Sequence, residues 1–546
     1  MIDSCNVCEL TIAGPGAGKT TRMVDFIEDH ISDLTPNRFI AVITYTNEAT
    51  KEIQNRLKNR IEIPNNLFIG TIHSFLIKFV FEPYAHIFDI TNIDKCYIDK
   101  IKLNPKSIES LRAKNEIAAA KRIEKNIVLK QAEKVLESGF VVYDKILEKS
   151  YALISDTKIC SIVANRLQYV FIDEYQDSKI YQHDILMKIF LEGKTSIYAI
   201  GDPMQSIFYF SYKTSQLRNE PIPKSYDQLP INSLENLCNE KEGFSCPILE
   251  ENYRSRPNIV TFINNFNVKF NQKPVRNDNG VPVVFINETN IEQLIKKFLS
   301  LKEKYNVKDE EDEAGCRIDS LFLSREWSCF EKIGPQFGIS KISNDDYDSN
   351  LIFREALRCI LGVIGKSRRQ LNEEFGINEI SLRKFVFKFV KDIRSNNYTC
   401  EDISALKCKI ITDFIDYFRV DSRLKIHPNL CVEDSLNKIV KFEISQNCIG
   451  HYSTIHSAKG LEAGSVLVVA ENKSLLNKWL STNKNDFKKH DDDNYRLGFV
   501  GFSRARNFLC IGCLENVFPD FESKLSNLNV LIEPPLKKLQ KTFDDF

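Results

Sequence analysis

Ala13-Gly14-Pro15-Gly16-Ala17-Gly18-Lys19-Thr20 is the stretch on which the fold turns. It fits a phosphate-binding loop, with Ala13 where that pattern often has glycine. Glycines let backbone N–H groups close around phosphate oxygens, and the positive end of a following helix adds to the attraction. Lys19 pairs with the β and γ oxygens of a nucleoside triphosphate, and Thr20 offers a hydroxyl to Mg2+; Thr21 follows at the start of the helix. The context such a loop requires is strand, turn, helix. Glu9 to Ala13 reads as a short strand, and Met23, Phe26, Ile27 and Ile31 recur at helical spacing from about Lys19. That context counts against a glycine-rich turn holding Lys-Thr by chance. A dinucleotide fingerprint is excluded, because Lys19 stands where its third glycine is needed.

Outward from the loop, strand and helix alternate. Phe39 to Thr44 reads as a second strand, with Asn47 as the N-cap of a helix carrying Ala49, Ile53 and Leu57 on one face. Buried-strand runs at Tyr169 to Ile172 and Ile197 to Ile200 each lead into a carboxylate, Asp173 and Asp202. A parallel α/β sheet places both at its carboxyl edge, where ligands bind. Asp173 is then placed to hold Mg2+ and Glu174 to activate water. Asn483-Lys484-Asn485-Asp486 matches the guanine-reading pattern of GTPases, but it lacks a preceding buried strand and reads as chance.

Residues 95 to 149 change the pattern: they read as mainly helical and hold 13 Lys or Arg against 8 Asp or Glu. Facing a nucleic-acid backbone and forming a solvated surface are equally open readings of that excess. A second α/β section starts near Cys246, with strands at Val283 to Ile286, Leu321 to Leu323, Ser465 to Ala470 and Phe508 to Ile511. A helical stretch at roughly 360 to 445 interrupts it. The acidic runs Asp309 to Glu313 and Asp491 to Asp493 read as solvated loops.

At 546 residues the chain is long enough for three or four domains, and 43% hydrophobic with 27% charged residues is ordinary globular composition. Lys plus Arg equals Asp plus Glu at 74 each, so no bulk field draws it to polyanions or membranes and any such partner is held by local patches. The start lacks a signal-peptide pattern and no segment reads as a membrane span, so a cytoplasmic protein with no membrane partner is expected. The 15 cysteines then read as reduced thiols. Cys5 with Cys8 and Cys510 with Cys513 have zinc-like spacing, but strand residues three apart face opposite sides.

Seven motifs occur in order: Thr44-Tyr45-Thr46-Asn47, Gly70-Thr71-Ile72-His73-Ser74-Phe75, Asp173-Glu174-Tyr175-Gln176-Asp177-Ser178, Gly201-Asp202-Pro203-Met204-Gln205-Ser206-Ile207, Asn252-Tyr253-Arg254-Ser255, His456-Ser457-Ala458-Lys459-Gly460-Leu461-Glu462 and Ser503-Arg504-Ala505. In that order the chain resembles the UvrD/Rep/PcrA family of superfamily 1 helicases, from residue 10 to about 512. The resemblance implies an α/β fold: two RecA-like P-loop domains with parallel sheets, each with an inserted helical subdomain. The first covers 1–245 with its insert at about 83–163. The second covers 246–546 with a reduced insert at about 360–445. It also implies a catalytic set of Lys19, Asp173, Glu174, Gln205, Arg254 and Arg504, in which Gln205 senses the γ-phosphate and the two arginines reach it as fingers. Tyr253 stacks on the base and Glu462 holds the ribose. Tyr45, Thr46, Asn47, His73, Phe208, Phe210 and His456 match positions that touch a single DNA strand. Phe208 and Phe210 flank Tyr209, so a strand puts both on one face, and a core aromatic pair is the competing reading.

The implied activity is ATP-dependent 3′ to 5′ translocation on, or unwinding of, single-stranded or tailed DNA, with ATP and Mg2+. The short form also resembles the helicase subunit of Gabija anti-phage systems, which partners a nuclease subunit. A nucleic-acid end sensor working through such a partner is the alternative. Three departures bear on the transfer: no upstream adenine-reading glutamine precedes Lys19, Thr21 stands where many members have arginine, and Ser211 and Tyr212 replace Arg-Gly after the aromatics.

Overall fold

Runs of β-branched and aromatic residues, buried on both faces, make the first sheet. In Phe39–Thr44 the side chains from Ile40 to Ile43 are at most 2% exposed, as expected of a parallel strand covered by helices. The computed structural model describes residues 6–90, 94–98, 140–214, 221–278, 280–307, 320–341, 349–366, 368–395, 403–420 and 449–535. The strands lie in the order Leu67–Thr71, Phe39–Thr44, Leu167–Ile172, Ser196–Gly201, Cys8–Ala13, and Phe244–Ser245 and Ile248–Leu249 both pair along the last. Every pairing is parallel. The register sets Thr44 beside Thr71, so the chain leaves two neighbouring strands at one edge.

Two compact units emerge. The larger comprises residues 1–308 and 455–546, the smaller residues 309–454. Besides the first sheet, the larger unit holds four parallel strands in the order Ala463–Ala470, Ala505–Cys513, Val284–Ile286, Leu531–Glu533. In Ala463–Ala470 every side chain is buried. The smaller unit has three parallel strands, Ile339–Lys341, Gly450–Thr454 and Ser320–Ser324. Among its described residues the longer helices are Ser349–Ile364, Arg368–Phe375, Glu379–Ser395 and Ile403–Phe418. Their apolar faces, including Ile360, Leu382, Phe385, Phe389, Ile410 and Phe414, close a core of their own.

Several expectations need adjustment. Thr46, not Asn47, caps its helix: its hydroxyl accepts from the Ala49 N–H at 3.1 Å. Most of the helical stretch expected at 95–149 falls at 99–139, outside the described residues. What is described there is a parallel strand pair, Asp94–Ile98 with Phe140–Val142, followed by the helix Tyr143–Ile154. The run Asp309 to Glu313 and the segment 421–448 also lie outside. Asn483 caps the short helix Lys484–Phe487, and Asp486 accepts from Ser481, so the GTPase-like match has a local structural role. Cys8, Cys510 and Cys513 are buried strand residues, and Cys5 lies outside the described residues. Among the described residues no helix is long and apolar enough to cross a membrane.

Candidate nucleotide site and the aromatic platform beside it

The helix Lys19–Ile31 starts from Gly18 at φ +76° with no side-chain cap. Its first turn therefore presents backbone N–H groups and dipole to the loop before it, where an anion is favoured. Gly16 also takes positive φ, +69°, where a side chain would be strained and would meet Arg254. Lys19 Nζ lies 3.5 Å from the Ala13 carbonyl. Carbonyls of the loop are held from residues far along the chain. Pro15 O accepts from Asn252 Nδ2 at 2.9 Å and Gln272 Nε2 at 3.0 Å, and Gly16 O from the Tyr253 N–H at 2.9 Å. These bonds lock the loop's carbonyls outward. Tyr253 is 58% exposed, with its ring about 4.0 Å from where a Gly18 Cβ would sit, an open aromatic face at the loop.

Asp173 ends the strand Leu167–Ile172, and its Oδ1 accepts the Glu174 N–H at 2.9 Å. Glu174 itself adopts φ +49°, a left-handed conformation that costs a non-glycine residue about 1–2 kcal/mol. Backbone strain of this kind gathers at functional sites. The two carboxyls are driven apart. Burial, then the Glu174 charge, pushes Asp173 up. Burial would raise Glu174 too, but Lys19, Lys459, a hydrogen bond from Gln176 and Arg504 together hold it down. Asp173 and Thr20 supply hard oxygen donors of the kind Mg2+ takes beside substrate phosphates. A divalent cation there relieves the buried charge that strains Asp173, so the residues fit the metal.

Gln205 is fixed at both ends of its amide. Nε2 donates to Asp202 Oδ2 at 2.8 Å, and Oε1 accepts from Arg504 Nη2 at 2.7 Å. Arg504 is 2% exposed and also donates to Val500 O and Leu461 O. Burial, then the Arg254 charge, lowers it to about 10. Arg254 pairs with Glu462 and donates to Ser503 O at 3.2 Å. Against the penalty of burial, the charges of Arg254 and Arg506 hold the Glu462 carboxyl below its ordinary range. Lys19, Asp173, Glu174, Gln205, Arg254, Arg504 and Glu462 thus share one electrostatic neighbourhood.

Next to it the aromatic residues meet. Tyr45 stacks on Phe208 with centroids 5.8 Å apart and planes at 20°; Phe208 lies 5.9 Å from Phe210, and Phe210 lies 5.4 Å from His456. Tyr45 is 43% and Phe210 47% exposed, so the core-pair alternative fails for Phe210. The expected strand is also replaced: Phe208 is in a loop and Phe210 opens the helix Phe210–Thr214, so a turn, not strand alternation, joins the rings. Thr46 is occupied as a cap, Asn47 begins the helix Asn47–Lys58, and His73 is half-buried on Ile72–Phe75. All three follow adjacent strand ends beside Tyr45. Tyr212 is buried, its hydroxyl donating to Ser178 O at 3.3 Å.

Lys459 joins the nucleotide-site residues to the aromatic platform. Its Nζ bonds both oxygens of Asp177 at 2.6 and 2.5 Å, donates to Gln205 O at 2.9 Å, and lies 5.2 Å from the Phe208 ring centroid. A lysine inside a Ser-Ala-Lys-Gly turn was the only sequence signal. Asn252 and Gln272 were equally unassigned, because nothing local marks a residue that braces a distant loop. The acidic run at 491–493 corrects a further expectation. Asp492 pairs with Lys478 at 2.6 Å and Asp493 with Arg496 at 2.6 Å, so two of its three carboxylates are structural.

Comparison with known proteins gives the same direction. A family model described as an AAA domain matches residues 4–211. The Gabija protein GajB of Bacillus cereus is 26% identical over 95% of this chain and 96% of its own length. The ATP-dependent DNA helicase Rep of Buchnera aphidicola is 23% identical over 98% and 96%. A probable DNA helicase II homolog of Mycoplasma genitalium is 23% identical over 91% and 82%.

Proposed function

We propose that this chain is a UvrD/Rep/PcrA-like DNA helicase of superfamily 1, which hydrolyses ATP to move 3′ to 5′ along single-stranded DNA in the cytoplasm. Two RecA-like domains, 1–245 and 246–546, each with a helical insert, carry the motor, and the larger compact unit combines parts of both. The observation that carries the reading is Lys459, whose one ammonium contacts Asp177, the Gln205 carbonyl and the Phe208 ring. One ammonium therefore links the two sides, by hydrogen bonds to Asp177 and the Gln205 carbonyl and by a cation–ring contact to Phe208.

In this reading the loop 13–20 cradles the phosphates, Lys19 neutralises the β and γ oxygens, and Tyr253 stacks on the base. Thr21 continues the nucleotide-binding loop, and Glu462 holds the ribose. Thr20 and Asp173 hold Mg2+, which would neutralise phosphate charge. Glu174, kept ionised by its cationic neighbours, takes the proton of the attacking water. Gln205 orients toward the γ-phosphate, with Arg504 and Arg254 stabilising the charge that develops there. Bases stack on Tyr45, Phe208 and Phe210, which is indifferent to sequence and suits stepping along any strand. Thr46, Asn47, His73 and His456 contact the backbone beside them.

The likeness to GajB supports a second reading of biological role, anti-phage defence beside a Gabija-type nuclease subunit; there the alternative to unwinding is a chain that senses DNA ends. Duplexes with a 3′ or a 5′ single-stranded tail distinguish these. Unwinding of the 3′-tailed duplex alone supports the translocating helicase. Unwinding of the 5′-tailed duplex contradicts the polarity, and none of either, with a nuclease copurifying, favours the sensor.

A further inference from the structure

Arg496 is fully buried, and the acceptors of its hydrogen bonds are not the nucleotide residues described above. Removing a guanidinium from water is costly unless its donors are matched. Here Nε donates to Ser206 O at 2.7 Å, Nη1 to Phe487 O at 2.7 Å and Lys489 O at 2.9 Å, and Nη2 to Asp493 Oδ1 at 2.6 Å. The other Asp493 oxygen accepts the Tyr209 N–H at 2.9 Å. One ion pair thus holds both ends of Ser206–Tyr209, a segment nearly 300 residues away in sequence. Gln205 immediately precedes that segment, Phe208 lies inside it and Phe210 immediately follows.

The helix Asn494–Phe502, which carries Arg496, leads directly into Ser503 and Arg504. Arg504, two residues past that helix, bonds Gln205 Oε1, so the helix and the turn after it grip neighbouring residues of one loop, Ser206 and Gln205. The helix is itself wedged, since a Cβ on Gly498 would come within 2.6 Å of Trp479.

We propose that Arg496 and Asp493 are positioning residues that bind the Ser206–Tyr209 segment to the helix ending in Arg504, so that closure on nucleotide is delivered to the aromatic platform. The inference rests on the motor reading above. Arg504 meets the nucleotide-sensing amide, and Arg496 transmits the helix displacement to Phe208 and Phe210. Neither Arg496 nor Asp493 touches ATP.

The test compares the parent with Arg496→Lys and Asp493→Asn, all in a Trp327→Phe background so that Trp479 fluorescence alone reports the helix. Lysine keeps the charge but cannot satisfy four acceptors with a planar fork. Asparagine keeps the shape but loses the ion pair. Steady-state ATP hydrolysis is titrated with oligothymidylate, and binding of a fluorescent ATP analogue with Mg2+ is measured separately. Both variants are expected to bind the analogue nearly as the parent does. Their DNA-stimulated kcat should fall about 10- to 100-fold, the loss expected when a charge-assisted hydrogen bond is removed. The DNA-dependent change in Trp479 fluorescence should shrink with it. Unchanged stimulation in Arg496→Lys overturns the inference. So does a parallel loss of nucleotide affinity and melting temperature in both variants, which marks a purely structural pair. If the parent itself shows no stimulation by DNA, the motor reading falls first and takes the inference with it.

Discussion

Replacing Lys459 by methionine keeps the aliphatic stem and removes the ammonium that bonds Asp177 and the Gln205 carbonyl. Asp177 is then a buried carboxylate without its cation, since the two side chains are 9% and 1% exposed. Breaking such a pair costs about 3–5 kcal/mol. The loss depends on pH in a direction that can be worked out. Burial, only partly offset by Lys459, already pushes Asp177 up to about 6, above its unfolded value of about 4. A raised carboxyl holds a proton that the unfolded chain has released, so stability falls as pH rises through that window. In the parent the window closes near 6; without Lys459 the folded value rises and the window extends into the neutral range. The deficit of Lys459→Met should therefore be small near pH 5 and grow by about 1.4 kcal/mol per pH unit above 6, until the variant's own carboxyl ionises. Denaturant melts followed by Trp479 in a Trp327→Phe background measure it. A deficit equal at both pH values, or larger in acid, would mean that Lys459 does not hold the Asp177 charge in the folded protein.

Arg504→Ala removes the donor to Gln205 Oε1 and should lower kcat by ~10³–10⁵ while ATP still binds, which single-turnover hydrolysis beside analogue binding will show. Phe210→Ala removes an exposed ring of the platform and should weaken oligothymidylate binding by about 1–3 kcal/mol, read by fluorescence anisotropy, with ATP affinity in the absence of DNA unchanged. Gly16→Ala forces a side chain into left-handed backbone at φ +69° and within 2.6 Å of Arg254 Cβ; a loss of ATP affinity of about 5- to 30-fold is expected by titration calorimetry.

Much of this was legible in the chain. The phosphate loop is local, and a strand, a glycine turn and a helix with Met23, Phe26 and Ile27 on its inner face specify it without tertiary help. Phe39–Thr44 was readable to its ends because both faces are buried and every residue is apolar or β-branched. Boundaries failed where two residues compete for one task, as Thr46 and Asn47 did for the cap. The aromatic platform was readable as residues but not as geometry, since Phe208 and Phe210 alternate like strand neighbours and yet are joined by a turn. Least legible were the long-range braces: Asn252 and Gln272 on the phosphate loop, Lys459 on Asp177, and Arg496 on Ser206. Each is an ordinary polar residue in its own neighbourhood. Its partner lies more than 230 residues away, and only burial with hydrogen-bond distance identifies it.

If DNA on the platform and ATP in the loop act on one connected site, the first must change the turnover of the second. Steady-state ATP hydrolysis with and without single-stranded DNA, beside Glu174→Gln as the blank, tests it most directly. Strong stimulation of the parent by DNA, with turnover lost in Glu174→Gln while ATP still binds, is the predicted result. A rate indifferent to DNA, or a Glu174→Gln variant as fast as the parent, would contradict the account.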